Sequence, residues 1–329
     1  MTGKNQIFAK VLAAVLLLGS LGSAGYPGPL PDSKELLSGE RMNDAVQYLR
    51  DRTQTTPADA EAFHLLSRAY YELEQWDLSI AAAQHAAALN PASSEYHLWL
   101  GRAYGNKAEH ASWFTAIGLA KRTRVEFEKA VQLDENNVNA RSDLAEYYME
   151  APGFLGGGAD KARAQAELLL NRDAGAAYWV KARLAEKDGK MAEAEQNYRE
   201  AIKVSNDPGA EWLNLARFYR HEKRFREMEE AIDHAVSYEK RKTNVLFEAA
   251  ALLYRAGRNF PAAAQLAQRY ISAKPHEETA PAFQAHYLLG EILEKQGQKQ
   301  AAAEEYRATV SMASDFHQAQ EALRRLSQP

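Results

Sequence analysis

Small residues recur along this chain at a nearly fixed interval, and that recurrence constrains the fold more than any other feature. Aligned on Ser67, Gly101, Ala145, Ala182, Ala216, Ala250 and Gly290, successive units lie 34, 44, 37, 34, 34 and 40 residues apart. Apolar side chains return at helical spacing within each unit, and strand-like alternation of β-branched residues is nearly absent. The chain is therefore expected to be all-α, with two amphipathic helices in each period. No shift in composition and no long linker divides it after the N-terminus, so a single elongated body is expected.

The residue types fit that expectation physically. A small side chain on the first helix of a unit lets the second helix approach closely, and an aromatic ring one turn away fills the remaining gap. The motif large-x-x-Leu-small-x-x-Tyr appears as Phe63, Leu66, Ser67, Tyr70, then as His97, Leu100, Gly101, Tyr104, and again as Trp212, Leu215, Ala216, Tyr219. Second helices follow with Ala194, Tyr198, Ala201 and with Ala302 and Tyr306, and Pro57, Pro91, Pro208 and Pro275 close units. In these motifs and their period the chain resembles the tetratricopeptide repeat family along nearly its whole length after residue 24.

That resemblance implies an α-solenoid, a right-handed superhelix of antiparallel helix pairs. The expected repeats are 60–93, 94–137, 138–174, 175–208, 209–242, 243–282 and 283–314, with cap helices at 36–52 and 315–327 protecting the ends of the array at 36–329. Ala182 follows Lys181, which stands where the family has leucine, and Ala185 replaces the tyrosine, which makes 175–208 the weakest expected unit. Two departures stand out. About ten extra residues fall at 105–121, carrying Trp113 and Phe114 as a candidate lip over the groove, and the stretch APGFLGGGADKA, 151–162, is expected to lengthen one turn.

Glycines feeding a helix are the usual phosphate cradle, but here the spacing excludes one. A P-loop needs Gly-Lys-Ser/Thr after its second glycine, and Gly158 is followed by Ala159 and Asp160. The dinucleotide fingerprint needs a preceding strand, whereas AEYYME, 145–150, continues a helix. The glycines are expected to supply positive φ angles and slack.

Charge and composition narrow the function classes further. A formal charge of -4 offers no bulk positive field for nucleic acid. Zero cysteines exclude disulfides and thiol chemistry. No H-E-x-x-H pair or G-x-S-x-G elbow occurs, so neither an enzyme, a metal site nor a cofactor is expected. At the N-terminus Lys4 and Lys10 precede VLAAVLLL, 11–18, with small residues Gly22 and Ala24 at a cleavage site. A signal peptide over 1–24, an extended lead-in over 25–35 and an exported, periplasmic or secreted protein that does not span the membrane are the expectation.

Binding is the remaining role, and the resemblance implies where. First helices of such arrays line the concave face, and a stripe at i, i+4, i+7 points into it. The groove residues so placed are Arg68, Tyr71, Arg102, Trp179, Arg183, Arg217, Arg220, Phe247, Tyr254 and Tyr287. Arginines among aromatic rings suit a protein or peptide with carboxylate and apolar side chains. The carboxylate clamp known in the family is not reproduced, because Trp179 and Glu248 fall where it needs basic residues. The expected function is a non-catalytic scaffold for protein or peptide partners. Its alternative is a small-molecule or solute-binding component of an envelope assembly, with the groove closed by 105–121.

Overall fold

The computed structural model describes residues 37–38, 41–238, 244–273 and 280–328. The expected signal peptide, the lead-in and Pro275 lie outside the described residues. A leading helix α1 (Met42–Thr55) precedes seven antiparallel pairs: α2 (Ala60–Glu72) with α3 (Trp76–Leu89), α4 (Ser94–Glu109) with α5 (Trp113–Leu133), α6 (Val138–Glu150) with α7 (Ala159–Leu169), and α8 (Ala174–Lys187) with α9 (Met191–Val204). The remaining pairs are α10 (Pro208–His221) with α11 (Phe225–Ser237), α12 (Asn244–Arg255) with α13 (Phe260–Ser272), and α14 (Ala282–Lys295) with α15 (Lys299–Met312). Helix α16 (His317–Ser327) ends the array, and no strand occurs among the described residues.

Local sequence fixes where each first helix begins. Asp59, Ser93, Asn137, Asp173 and Asp207 precede the first helices of pairs one to five, and each side chain accepts from the backbone N–H three residues on. Such a bond satisfies one of the amides that a helix start leaves without a partner. The turns inside the pairs repeat as well. Glu74, Gly189, Lys223, Gly257 and Gly297, just past the first helix, all take positive φ. That left-handed residue reverses the chain within two or three positions.

Packing inside the pairs follows the small-residue logic. A Cβ added at Gly101 would meet the Phe127 ring at 2.5 Å, and one added at Gly290 would meet the Tyr306 ring at 2.5 Å. Ser67 and Ser79 do the same work by exchanging hydrogen bonds, each hydroxyl donating to the other residue's carbonyl at 2.9 Å. Successive first helices touch one another all along the array, which sets them on the inside of its curve.

The expected elongated body with two separate caps is not what forms. The array bends until its ends meet. Leu37, Met42, Val46, Leu49, Leu65 and Tyr70 share one buried cluster with Phe283, Ala313, Phe316 and Ala319. Phe316 packs edge-on against Phe283 and Tyr287, both at 5.2 Å between ring centroids. Polar contacts line the same seam. Ala282 N–H donates to Ser38 C=O at 2.8 Å, Gln284 Nε2 to Glu72 C=O at 3.1 Å, and Ser314 N–H to Asn43 Oδ1 at 2.8 Å. An end repeat of a solenoid leaves an apolar face that needs covering. Here each end covers the other, because α1 and α16 bring complementary apolar faces to one place.

Candidate functional site

With the ends joined, the first-helix stripe faces inward, and its arginines divide into paired and unpaired. Arg183 reaches Glu150 at 3.1 Å and Glu186 at 3.7 Å. Arg217 donates to Glu248 at 2.7 Å and to Asn214 Oδ1 at 2.8 Å. Both expected anchors are thus neutralised by carboxylates of the same or a neighbouring helix. Glu248, whose position counted against a clamp, is the partner that holds Arg217. Arg220 differs: the bond it makes is to His221 Nε2 at 3.1 Å, and no carboxylate pairs with it among the described residues. Burial, then Arg255 and Arg217, push its pKa below the ordinary arginine value. A half-buried guanidinium beside two like charges is a place where an anion gains both Coulomb energy and hydrogen bonds.

The aromatic members vary in the same way. Trp179 is half-buried where two core clusters meet, Phe247 leans on Tyr270 at 5.7 Å, and the Tyr254 hydroxyl donates to Glu291 at 3.3 Å. Tyr287 belongs to the seam with Phe316 and contributes to closure more than to the groove. Helices α8, α10 and α12, which carry Trp179, Arg183, Arg217, Arg220, Phe247 and Tyr254, are consecutive first helices in contact with one another.

Towards the first pairs a tryptophan that the stripe missed becomes the hub. Trp99 is buried, with Arg68 above its ring at 4.6 Å and Arg102 at 4.9 Å. Tyr71 meets it edge-on at 5.4 Å. The i, i+4 spacing that puts Arg102 in the stripe would put Leu98 there too, yet Leu98 is fully buried in the core, so in α4 the inward register runs through Trp99, Arg102 and Asn106. Arg102 also binds Asp143 at 2.6 Å.

Beside this hub the second and third pairs enclose a cavity of about 440 Å³ that opens to solvent. Tyr71, Phe127, Tyr147 and Leu155 supply apolar wall; Arg102, Glu109, Asp143, Glu146 and Glu150 supply charge. Both departures from the repeat pattern frame it. The extra residues become the last turns of α4 and the first turns of α5, leaving Trp113 and Phe114 exposed. The glycine stretch forms a short 3₁₀ turn, Gly153–Leu155, that sets Leu155 in the wall and leaves Phe154 outside, 64% exposed.

That stretch is no phosphate cradle, for its amides are spent internally. Gly156 N–H donates to Gly153 C=O, Gly157 N–H to Pro152 C=O and Gly158 N–H to Tyr148 C=O. Gly156 and Gly158 need their positive φ of 87° and 153°, as expected. Gly157 is glycine for a different reason: a Cβ there would sit 1.7 Å from the Ala151 carbonyl oxygen, so backbone proximity and not φ forbids a side chain.

Family models of the tetratricopeptide repeat match residues 64–119, 175–208 and 248–315. The chain is a tetratricopeptide repeat protein. The matched 175–208 is the unit expected to be weakest; its second helix, with Ala194, Tyr198 and Ala201 all buried, carries the pattern that Lys181 and Ala185 dilute. Residues 120–174, which include the glycine stretch, fall outside the matches. Among solved structures, yeast Tom70 shares 15% identity with it at a TM-score of 0.54, over 93% of this chain and 65% of Tom70. TTC0263, a thermophilic tetratricopeptide repeat protein of Thermus thermophilus, shares 17% identity at a TM-score of 0.46, over 56% of this chain and 98% of that one. MamA shares 17% identity at 0.43, over 54% and 96%. No curated protein is significantly similar to the chain in sequence. Among the described residues no helix of this repeat protein is long and apolar enough to cross a membrane.

Proposed function

We propose that this protein is a non-catalytic scaffold that holds an extended segment of a partner protein along its inward face, with Arg220 as the anchor for a partner carboxylate. The observation that carries this reading is the charge imbalance at α10 and α12, where Arg217, Arg220 and Arg255 stand together and Glu248 answers one of them. Phe247 and Trp179 flank that imbalance with half-buried rings, the residue types in which binding energy concentrates. The solute-binding alternative asked for a groove sealed by 105–121, and the cavity there opens to solvent. The short apolar segment behind Lys4 and Lys10 supports export, with the mature chain starting at Gly25. Sequencing the N-terminus of protein recovered from the native host checks that point, since an intact Met1 would contradict export.

Calorimetric titration with a library of short acidic peptides and their glutamine counterparts tests the anchor. Arg220→Glu is expected to weaken acidic-peptide binding by at least about 2 kcal/mol, because it removes a donor and adds repulsion. Helix content should be unchanged. Wild-type affinity in the folded variant would remove Arg220 from the site.

A further inference from the structure

The cavity between the second and third pairs has an electrostatic character opposite to that of Arg220, and the scaffold reading does not use it. Four carboxylates and one arginine line it. Asp143 is answered by Arg102, and Glu150 by Arg183 at 3.1 Å and Lys187 at 3.2 Å. Glu109 and Glu146 make no hydrogen bond or ion pair among the described residues, although both open onto the same space. Glu146 is solvent-accessible yet closely surrounded by the concave wall; burial first and Asp143 second raise its pKa. Carboxylates crowded together in such a place, with Arg183 offsetting Glu146 only in part, gain when a further cation arrives.

The remaining wall says what kind of cation fits. Metal ions need several oxygen or nitrogen ligands converging within about 2.0–2.6 Å, and no group of three such side chains converges among the described residues. The rings of Tyr71, Phe127 and Tyr147 instead line the space beside the carboxylates, a lining that suits an organic cation with a hydrocarbon shaft. A volume of about 440 Å³ lies within the range of small-ligand sites, roughly 300–1,000 Å³. Independently of the carboxylates, Trp113, Phe114 and Phe154 stand 66%, 87% and 64% exposed on the segments that also supply the lining residues Glu109, Ala120 and Leu155. Exposed aromatic rings on segments that line a cavity offer a contact surface for an apolar body that continues outside it.

We propose that this cavity binds an alkylammonium or guanidinium group, seated between Glu109 and Glu146, with its aliphatic shaft against Tyr71, Phe127 and Tyr147. The group is the lysine or arginine side chain of the partner segment that the scaffold reading invokes, or a free polyamine. The two sources share one recognition chemistry, and only the first rests on the scaffold reading.

The test uses the full chain and defined probes: acetyl-Leu-Lys-Leu-amide, the same peptide with norleucine for lysine, and spermidine, each titrated by calorimetry at low salt. The lysine peptide or spermidine is expected to bind at least tenfold more tightly than the norleucine peptide. Glu109→Gln with Glu146→Gln together should remove at least tenfold of that affinity, while Glu304→Gln, an exposed carboxylate on α15, leaves it within twofold. Ala120→Phe, which fills the cavity without changing charge, should give the same loss as the double variant. Binding of spermidine alone identifies a free polyamine as the source, and binding of the peptide alone identifies a protein segment. Equal affinity for the lysine and norleucine peptides, or full affinity in the double variant, overturns the proposal. Acidic-peptide binding that depends on Arg220, with no cation bound by the wild type, would overturn this site and leave the scaffold reading standing.

Discussion

Phe316→Ala is expected to destabilise the protein by about 3–5 kcal/mol, the cost of removing a buried aromatic ring and leaving a cavity behind. Phe316 is 3% exposed and wedged against Phe283 and Tyr287 at the seam where the array's ends meet. The loss should be unevenly distributed. In an open solenoid each repeat is stabilised by its two neighbours, and the end repeats fray first. Closure gives the end helices a second neighbour, so the variant should restore fraying at α1 and α16 while leaving α8 to α10 protected. Native-state hydrogen exchange by fragment, combined with chemical denaturation, reads both effects. Uniform protection with a loss under about 1 kcal/mol would mean that the seam adds nothing to stability.

Acidification should weaken this protein well before ordinary carboxylates titrate, and His64 is the reason. The imidazole is 4% exposed, stacked on Tyr96 at 4.8 Å, and burial, followed by Arg68, pushes its pKa from 6.5 down to about 3. The folded state therefore refuses a proton that the unfolded chain accepts. Because the folded pKa lies below the unfolded one, the stabilisation is complete above about pH 6.5 and is lost as pH falls towards 3. The slope is about 1.4 kcal/mol per pH unit, which amounts to roughly 2–3 kcal/mol between about pH 6.5 and 4.5. Denaturant midpoints across that window should fall in the wild type and stay flat in His64→Phe. An equal fall in both proteins would assign the acid sensitivity elsewhere. Glu195 acts lower on the scale: burial alone would raise its pKa, but hydrogen bonds from Arg224, Arg199 and Tyr219 hold it at about 2.

The groove was legible in part, and the reason differs residue by residue. Arg68, Arg102, Arg183, Arg217 and Arg220 are set on one expected face by the family resemblance, which gives the inward helices, and by helical period, which is a local property. What each arginine does there depends on carboxylates on other helices, as Glu248 is 31 residues from Arg217 and Asp143 is 41 from Arg102. Spacing within one helix carries no information about those pairs. Trp99 was missed for a related reason. A one-residue difference in the inward register of α4 exchanges it with Leu98, and the register is set by how the second pair packs on the first.

The sequence by itself determined the repeat, the two helices in each unit, the capped starts of the first helices and the small-on-aromatic contacts at Gly101 and Gly290. These are decided within one unit or its immediate neighbour, so a period of 34 residues is enough to write them. Only the tertiary structure decided that the array closes, that Gly157 is held by the Ala151 carbonyl, and that the glycine stretch and the extra turns of α4 and α5 frame one cavity. Closure depends on small rotations summed over seven pairs, and a sum of that kind leaves no motif at any single position. The balance of charge around Arg220, Glu109 and Glu146 follows from the same curvature, which chooses the helices whose side chains meet across the inward face.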